Sequence, residues 1–83
     1  MSSIYSSEYQ LVIKNLREIR IKKGITQERL AQALKRPQSF VAKVESGERR
    51  LDVIEFAYIA GLLGIEPAPL LQKILNHSFR FRI

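Results

Sequence analysis

Residues 26–47, TQERLAQALKRPQSFVAKVESG, predict two short amphipathic helices that are joined by a tight turn. Thr26 is a typical N-cap residue for the first of these helices. Between them, Pro37 pushes Arg36 out of the helical region of backbone space, which separates the two helices. Gly47 is typical of the left-handed residue that closes a helix. A unit of this kind can hold its second helix against the major groove of DNA.

Three further helices are predicted around this unit. The expected bounds are helix 1 from Ser7 to about Lys23, helix 2 from the N-cap Thr26 to about Lys35, helix 3 from after Pro37 to Gly47, helix 4 from the capping box of Asp52 and Glu55 to Leu63, and helix 5 from Pro67 to about Asn76. A strand pattern occurs only in the tail, where Phe79, Phe81 and Ile83 alternate with arginines. The sequence therefore predicts one all-α domain with its core in residues 7–76 and a tail at 77–83.

The 83 residues carry a formal net charge of +6, and most of that charge lies in one segment. Residues 14–50 hold eleven basic and four acidic residues, which gives +7 for the segment that contains the two helices above. This concentration favours a polyanionic partner such as DNA over a simply solvated surface. The chain has no cysteine, which excludes a disulfide framework. The sequence lacks a signal-peptide pattern and its longest apolar run is too short to span a bilayer, so no membrane association is expected.

Helix 3 is predicted to present polar side chains on the face opposite Val41 and Val44, which point inward. The outward residues are Gln38, Ser39, Ala42 and Lys43. A glutamine can form two hydrogen bonds with adenine, a lysine can donate to guanine, and an alanine can touch the methyl group of thymine. The pattern therefore favours a base-reading helix, while an ordinary solvated face is the alternative.

A second pattern extends beyond these helices and keeps its register over roughly residues 12–75. Its elements are Leu16-x-x-x-Arg20-x-x-x-Gly24-Ile25-Thr26-Gln27-x-x-Leu30-Ala31, then Val41, Val44, Glu45-x-Gly47, Leu51-Asp52 and Leu63-Gly64-Ile65. This pattern resembles the phage-repressor-like (xenobiotic-response-element, XRE) family of helix-turn-helix regulators, which includes phage Cro and repressor. The stretch RPQSFVAKVESGERRLDVIEF looks like small, stand-alone bacterial members. The resemblance implies a five-helix lambda-repressor-like DNA-binding domain with its helix-turn-helix at helices 2–3.

The resemblance also implies roles for individual residues. The base-reading positions of the family's recognition helix match Gln38, Ser39 and Lys43. Gln27 matches a position that holds a DNA phosphate, which suits a helix N-terminus with its free N–H groups. Arg20 and Glu45 match a buried ion pair that ties helix 1 to helix 3 in relatives.

Further basic residues are predicted to contact DNA phosphates, with plain solvation as the alternative. They are Lys23 at the end of helix 1, Arg36 in the turn, and Arg49 and Arg50 after helix 3. For the last two, a contact in the minor groove is a second option. Phe40 is predicted to pack between helices 3 and 4 rather than to enter the DNA.

Two residues depart from the family pattern in the turn between helices 2 and 3. Lys35 stands where the family commonly has glycine, and a positive φ there would cost a lysine about 1 kcal/mol. Pro37 stands where a capping serine or threonine is usual, so helix 3 is expected to lack a side-chain cap. Neither departure is expected to break the fold.

One short recognition helix reads only a few base pairs, and members of the family overcome this limit by forming twofold dimers. Helix 5 offers two apolar edges at i, i+4 spacing, of which one is sufficient for the core. The edges are Leu70 with Ile74 and Leu71 with Leu75, and the spare edge is a predicted dimer surface. The tail residues Phe79 and Phe81 are predicted either to pair as a strand across the twofold axis or to fray.

Together these patterns predict a dimeric transcriptional repressor that reads a palindromic operator in double-stranded DNA with helix 3. Three alternatives remain: an antitoxin that binds a protein toxin as well as DNA, a controller protein of a restriction–modification system, and a protein-interaction module that uses helix 5 and the tail. No cofactor, metal site or enzymatic activity is predicted, because the sequence shows no nucleophile with a base, no glycine-rich phosphate loop and no ligand cluster. The expected localisation is cytoplasmic and nucleoid-associated, with a prokaryotic, phage or plasmid gene.

Overall fold

Five α-helices form the part of the chain that the structure, a computed structural model, describes, which is residues 7–75. Their bounds are α1 Ser7–Lys22, α2 Gln27–Leu34, α3 Gln38–Ser46, α4 Val53–Leu62 and α5 Pro67–Leu75. No strand occurs in these residues, so the predicted all-α, five-helix fold is confirmed, with each bound within one residue of its prediction. The predicted tail strand, with Phe79 and Phe81, lies outside the described residues.

The helix ends depend on short-range hydrogen bonds that the sequence supplies. Thr26 Oγ1 accepts a hydrogen bond of 3.0 Å from the backbone N–H of Arg29 and so caps α2. Asp52 and Glu55 form the predicted capping box of α4: Asp52 accepts from the Glu55 N–H at 2.7 Å, and Glu55 accepts from the Asp52 N–H at 3.0 Å. Gly47 closes α3 with a φ of 87°. These caps set where the helices around the turn begin and end.

The turn between α2 and α3 has the two unusual features that the sequence predicts. Lys35 has a φ of 59° and a ψ of 43°, a left-handed conformation that costs a lysine about 1 kcal/mol. Within residues 7–75, only glycines otherwise have a positive φ. Pro37 precedes α3 and provides no side-chain cap. The turn is held instead by backbone hydrogen bonds from the N–H groups of Lys35 and Arg36 to carbonyl groups of α2, at 3.1 and 3.0 Å.

The core lies where the five helices meet. α2 packs against α3 and α4, while α1 packs against α3 and α5. The buried apolar residues of the core cluster are Val12, Ile13, Leu16, Leu30, Ala31, Phe40, Val41, Val44, Phe56, Ile59, Leu63 and Ile74. Helices of eight to ten residues, such as α2 to α5, are marginal alone, so burial of this apolar surface is what stabilises them.

The two apolar edges of α5 differ in burial. Ile74 is 6% exposed and packs in the core, so its prediction as a dimer-surface residue is corrected. Leu70 and Leu71 are half-buried against the core, and Leu75 is half-buried at the end of the helix. Leu71 and Leu75 therefore keep apolar surface that a partner could cover. Within residues 7–75, no single helix has the length and apolar character to cross a membrane, and α4 with α5 meets those criteria only as a pair bent by 116°.

Candidate nucleic-acid interface

α3 divides its side chains between the core and solvent, as a helix of 3.6 residues per turn allows. Val41 and Val44 are buried and hold the helix against the core. The predicted base-reading residues on the other side are Gln38, Ser39 and Lys43, which are exposed, and Ala42, which is half-buried. The fold therefore brings all four predicted side chains onto one accessible helix face.

Arg20 and Glu45 form a bidentate ion pair beneath this helix. Arg20 Nε donates to Glu45 Oε2 at 2.7 Å, and Arg20 Nη2 donates to Oε1 at 3.0 Å. The two side chains are 9 and 10% exposed, so the predicted buried pair is present. Arg20 Nη1 also donates to the carbonyl of Ile25 at 2.6 Å, in the loop before α2. The pair therefore fixes the end of α1, the next loop and the middle of α3 relative to one another.

Gln27 connects this ion pair to the exposed face of α3. Its Nε2 donates to Glu45 Oε1 at 2.9 Å, and its Oε1 accepts from Gln38 Nε2 at 2.8 Å. Because a carboxylate can only accept, the amino end of Gln27 must face Glu45, and its oxygen then faces Gln38. We call Arg20, Gln27 and Glu45 the buried cluster. The sequence assigned Gln27 and Gln38 separate contacts with DNA, and nothing in their spacing of 11 residues indicated that they bond to each other.

A second carboxylate, Glu55, holds two of the predicted phosphate-binding arginines. Arg49 donates to both of its oxygens, at 2.7 and 3.0 Å, and Arg36 donates to one of them at 2.9 Å. Both guanidinium groups also lie over the ring of Phe40, at 4.3 Å for Arg36 and 4.9 Å for Arg49. We call Arg36, Phe40, Arg49 and Glu55 the rim cluster. Sequence reasoning identified Glu55 only as a capping residue, because its two arginines come from different segments of the chain.

Hydrogen bonding within the rim cluster shifts two pKa values. The Arg49 guanidinium, followed by the backbone N–H of Asp52, lowers the pKa of Glu55 below its ordinary value. The same hydrogen bond raises the pKa of Arg49. Both groups are therefore charged at neutral pH, and one carboxylate faces two guanidinium groups. The cluster keeps a net charge of +1 on a surface where Arg36 and Arg49 are 42 and 41% exposed.

The two other predicted phosphate contacts lie elsewhere. The Arg50 guanidinium stacks 4.1 Å above the ring of Tyr9 from α1. Lys23 Nζ lies beside Gly64, in the turn after α4, and takes part in neither cluster. In residues 7–75, no three His, Asp, Glu or Cys side chains are grouped so that they could hold a metal ion.

Comparison with known proteins agrees with this geometry. The helix-turn-helix family model HTH_3 matches residues 16–70, and the chain belongs to that family of DNA-binding helix-turn-helix proteins. A similar solved structure is that of an XRE-family like protein from Pseudomonas syringae pv. tomato str. DC3000. It shares 46% sequence identity, the match covers 92% of this chain and 93% of that chain, and the TM-score is 0.84. No curated protein matches the sequence. The predicted XRE-type family and lambda-repressor-like fold are thus confirmed.

Proposed function

We propose that this DNA-binding protein is a homodimeric, sequence-specific repressor that reads a palindromic operator by inserting α3 into the major groove. The observation that carries the proposal is the chain of hydrogen bonds from Glu45 through Gln27 to Gln38. These hydrogen bonds hold the exposed side chain of Gln38, a residue type that can read bases, in one orientation before DNA binds. Preorganisation of this kind lowers the entropy lost on binding.

The orientation of Gln38 matches adenine. One N–H of its Nε2 donates to Gln27, which leaves the second N–H and the oxygen Oε1 available. Adenine offers an acceptor at N7 and a donor at N6 in the major groove, so the remaining groups of Gln38 can satisfy both. Gln38 can thus read adenine without breaking its bond to Gln27.

The neighbouring side chains extend this reading surface. Lys43, one turn further along α3, can donate to guanine O6 or N7, and Ala42 can contact a thymine methyl group. Ser39 can donate or accept and is therefore permissive. Gln27 at the N-terminus of α2, with Arg36, Arg49 and Arg50, supplies contacts with phosphates that position α3.

Dimerisation supplies the length of DNA that one short helix cannot read. Two copies related by a twofold axis would place their α3 helices in successive major grooves about 34 Å apart. Leu71 and Leu75 are the dimer contacts that we propose on α5, with Phe79 and Phe81 added from the tail. Sedimentation of the full chain and of a chain lacking residues 78–83 tests this: an unchanged dimer would rule out the tail contact. Such a repressor would act in the cytoplasm at the nucleoid.

Selection of binding sites from random duplex DNA at near-physiological salt tests the proposal as a whole. We expect a twofold-symmetric site with half-sites about one helical turn apart. On that site, Gln38→Ala and Lys43→Ala should each lose about 1–3 kcal/mol of binding free energy and relax the base preference at one position. Gln72→Ala, an exposed glutamine on α5, is the matched control and should bind as wild type.

Two results would contradict the proposal. Selection could return no consensus, with only weak and strongly salt-dependent binding, which is the signature of nonspecific phosphate contact. Alternatively, both α3 variants could retain the full base preference, and α3 would then not be the reading element.

A further inference from the structure

An exposed apolar stripe runs along α4 on a side that does not face the core. Ile54, Tyr58 and Leu62 recur at i, i+4 and i+8, which places them on one face of the helix. Their exposed fractions are 57, 65 and 47%. Large apolar side chains that are grouped on one exposed face mark an interaction surface, whereas scattered ones do not.

This stripe borders a groove between α2 and α4. Two hollows of ≈ 420 Å³ each adjoin there, and both are lined by Ala33 and Leu62. Tyr58 and Leu34 continue the apolar lining into a third hollow of ≈ 160 Å³ beside the turn after α2. Leu62 lies eight residues after Ile54, a rise of about 12 Å along α4, so the groove can hold about two turns of another helix.

The edge of the groove is basic. Lys23 and Arg29 line one end, and Lys35 and Arg36 line the other. The one carboxylate that lines these hollows in the described residues is Glu55, which is already held by arginines of the rim cluster. Within residues 7–75, the other three basic side chains form no ion pair. The apolar floor is thus flanked by three basic side chains that no acidic group within residues 7–75 neutralises.

The charge disfavours occupants from the same protein. A second copy that docked through this face would bring two basic edges together, which costs free energy. The C-terminal segment NHSFRFRI would add Arg80 and Arg82 to the same edge, and MSSIYS at the N-terminus contains no acidic residue. A chain with a net charge of +6 is a poor electrostatic match for its own basic groove.

We propose that the groove between α2 and α4 binds an acidic amphipathic helix of a partner protein. Apolar side chains of that helix, spaced at i, i+4 and i+7, pack on Ala33, Tyr58 and Leu62, and its carboxylates lie against Lys23 and Lys35. None of the four proposed base-reading residues lines the groove, so the partner leaves the reading face of α3 open, while Lys23 and Arg36 at the ends of the groove are also predicted phosphate contacts. This inference does not depend on the repressor proposal.

The test measures binding of a synthetic peptide to the full chain by fluorescence anisotropy. The probe is a peptide of about 14 residues with leucines at helical spacing and glutamates elsewhere, and its control has the same composition in scrambled order. The groove variant is Leu62→Ser, with Tyr58→Ser as a second variant if the first loses thermal stability. Ile21→Ser is the matched control, because Ile21 is 49% exposed on α1 and lines none of the three hollows.

We expect the patterned peptide to bind at least about tenfold more tightly than the scrambled one. Leu62→Ser should weaken binding by at least about tenfold, and Ile21→Ser should not. Equal affinity for the two peptides, or no binding, would overturn the proposal. So would a wild-type dimer that Leu62→Ser converts to a monomer, because a second copy would then occupy the groove.

Discussion

The carboxylates of Glu45 and Glu55 are both held by guanidinium groups, but the Arg20–Glu45 pair is buried, whereas the arginines that hold Glu55 are exposed to solvent. Arg20 and Glu45 are 9 and 10% exposed, whereas the arginines that hold Glu55 are 42 and 41% exposed. The buried cluster joins α1, α2 and α3, and the rim cluster joins the turn, the loop after α3 and α4. The same chemical pair therefore fixes geometry in one place and adjusts surface charge in the other.

Exposure to solvent explains why the two clusters contribute differently to stability. A buried charge that loses its partner cannot be rehydrated, so breaking such a pair costs about 3–5 kcal/mol. At an exposed site, water and salt ions replace the lost partner, and the contribution to stability is far smaller. Arg36 and Arg49 can therefore exchange Glu55 for another anion, whereas Arg20 cannot exchange Glu45 without unfolding part of the domain.

The largest expected effect is the difference in unfolding free energy when the same glutamate-to-glutamine substitution is made in each of the two clusters. Glu45→Gln preserves the shape of the side chain but leaves the buried Arg20 guanidinium without a counter-charge, and we expect a loss of about 3–5 kcal/mol in unfolding free energy. Glu55→Gln can still accept the capping hydrogen bond from Asp52 and should cost much less. Urea unfolding followed by circular dichroism measures both values. Equal losses would remove the distinction between the clusters.

Glu55→Gln should instead strengthen nonspecific DNA binding. Loss of the carboxylate charge frees Arg36 and Arg49 for phosphates, and we expect about tenfold higher affinity for random duplex DNA at low salt. The slope of log affinity against log salt should steepen by about 0.9 for each additional phosphate that these arginines neutralise. Glu66→Gln is the control, because it changes the net charge equally at an exposed position between α4 and α5. An equal increase in affinity for the control would assign the effect to net charge alone.

Only the buried cluster connects to the reading face, and double-mutant cycles can detect that connection. Alanine substitutions at Gln27 and Gln38 remove the same 2.8 Å hydrogen bond, so their effects on DNA affinity should be coupled by about 0.5–1 kcal/mol. Substitutions at Gln38 and Arg49, which belong to different networks, should add. Additive effects for the first pair would mean that Gln27 does not orient Gln38 in the complex.

The smallest expected effect is on the stability of the fold at acidic pH. The pKa of Glu55 is lower in the folded chain than its ordinary value of 4.5, chiefly because of the Arg49 hydrogen bond. Its stabilising contribution is therefore complete above about pH 4.5 and is lost as the pH falls through the folded pKa. Glu55→Gln should lose less stability than wild type on acidification, while Glu18→Gln serves as an exposed carboxyl control. Identical pH profiles for wild type and Glu55→Gln would contradict this account.

The sequence predicted the helices because their signals are local. Thr26, Asp52 and Gly47 each act within a few residues of their own position, so the bounds they predict agree with the structure. The ion pair of Arg20 and Glu45 was predicted through the family resemblance, since 25 residues separate its partners.

The contacts that the sequence could not give are set by the packing of helices. Glu55 binds both Arg36 and Arg49 because the turn between α2 and α3 and the loop after α3 both lie next to the start of α4. Spacing along the sequence does not predict that proximity. Likewise, i, i+4 spacing identified two apolar edges on α5 but could not determine that Ile74 faces the core. The predicted DNA contacts rested on residue type, helix face and the family resemblance, and the structure shows which of the predicted cations already have partners.

The left-handed Lys35 and the uncapped start of α3 at Pro37 also affect how the domain folds. Pro37 interrupts the helix locally, but the left-handed Lys35 is strained and α3 has no side-chain cap, so residues 26–47 should not hold this arrangement as an isolated peptide. The turn becomes favourable only when α2 and α3 share the core with α1 and α4. We therefore expect the face that carries Gln38 to form late and cooperatively, and to disappear in a single step when the domain begins to unfold.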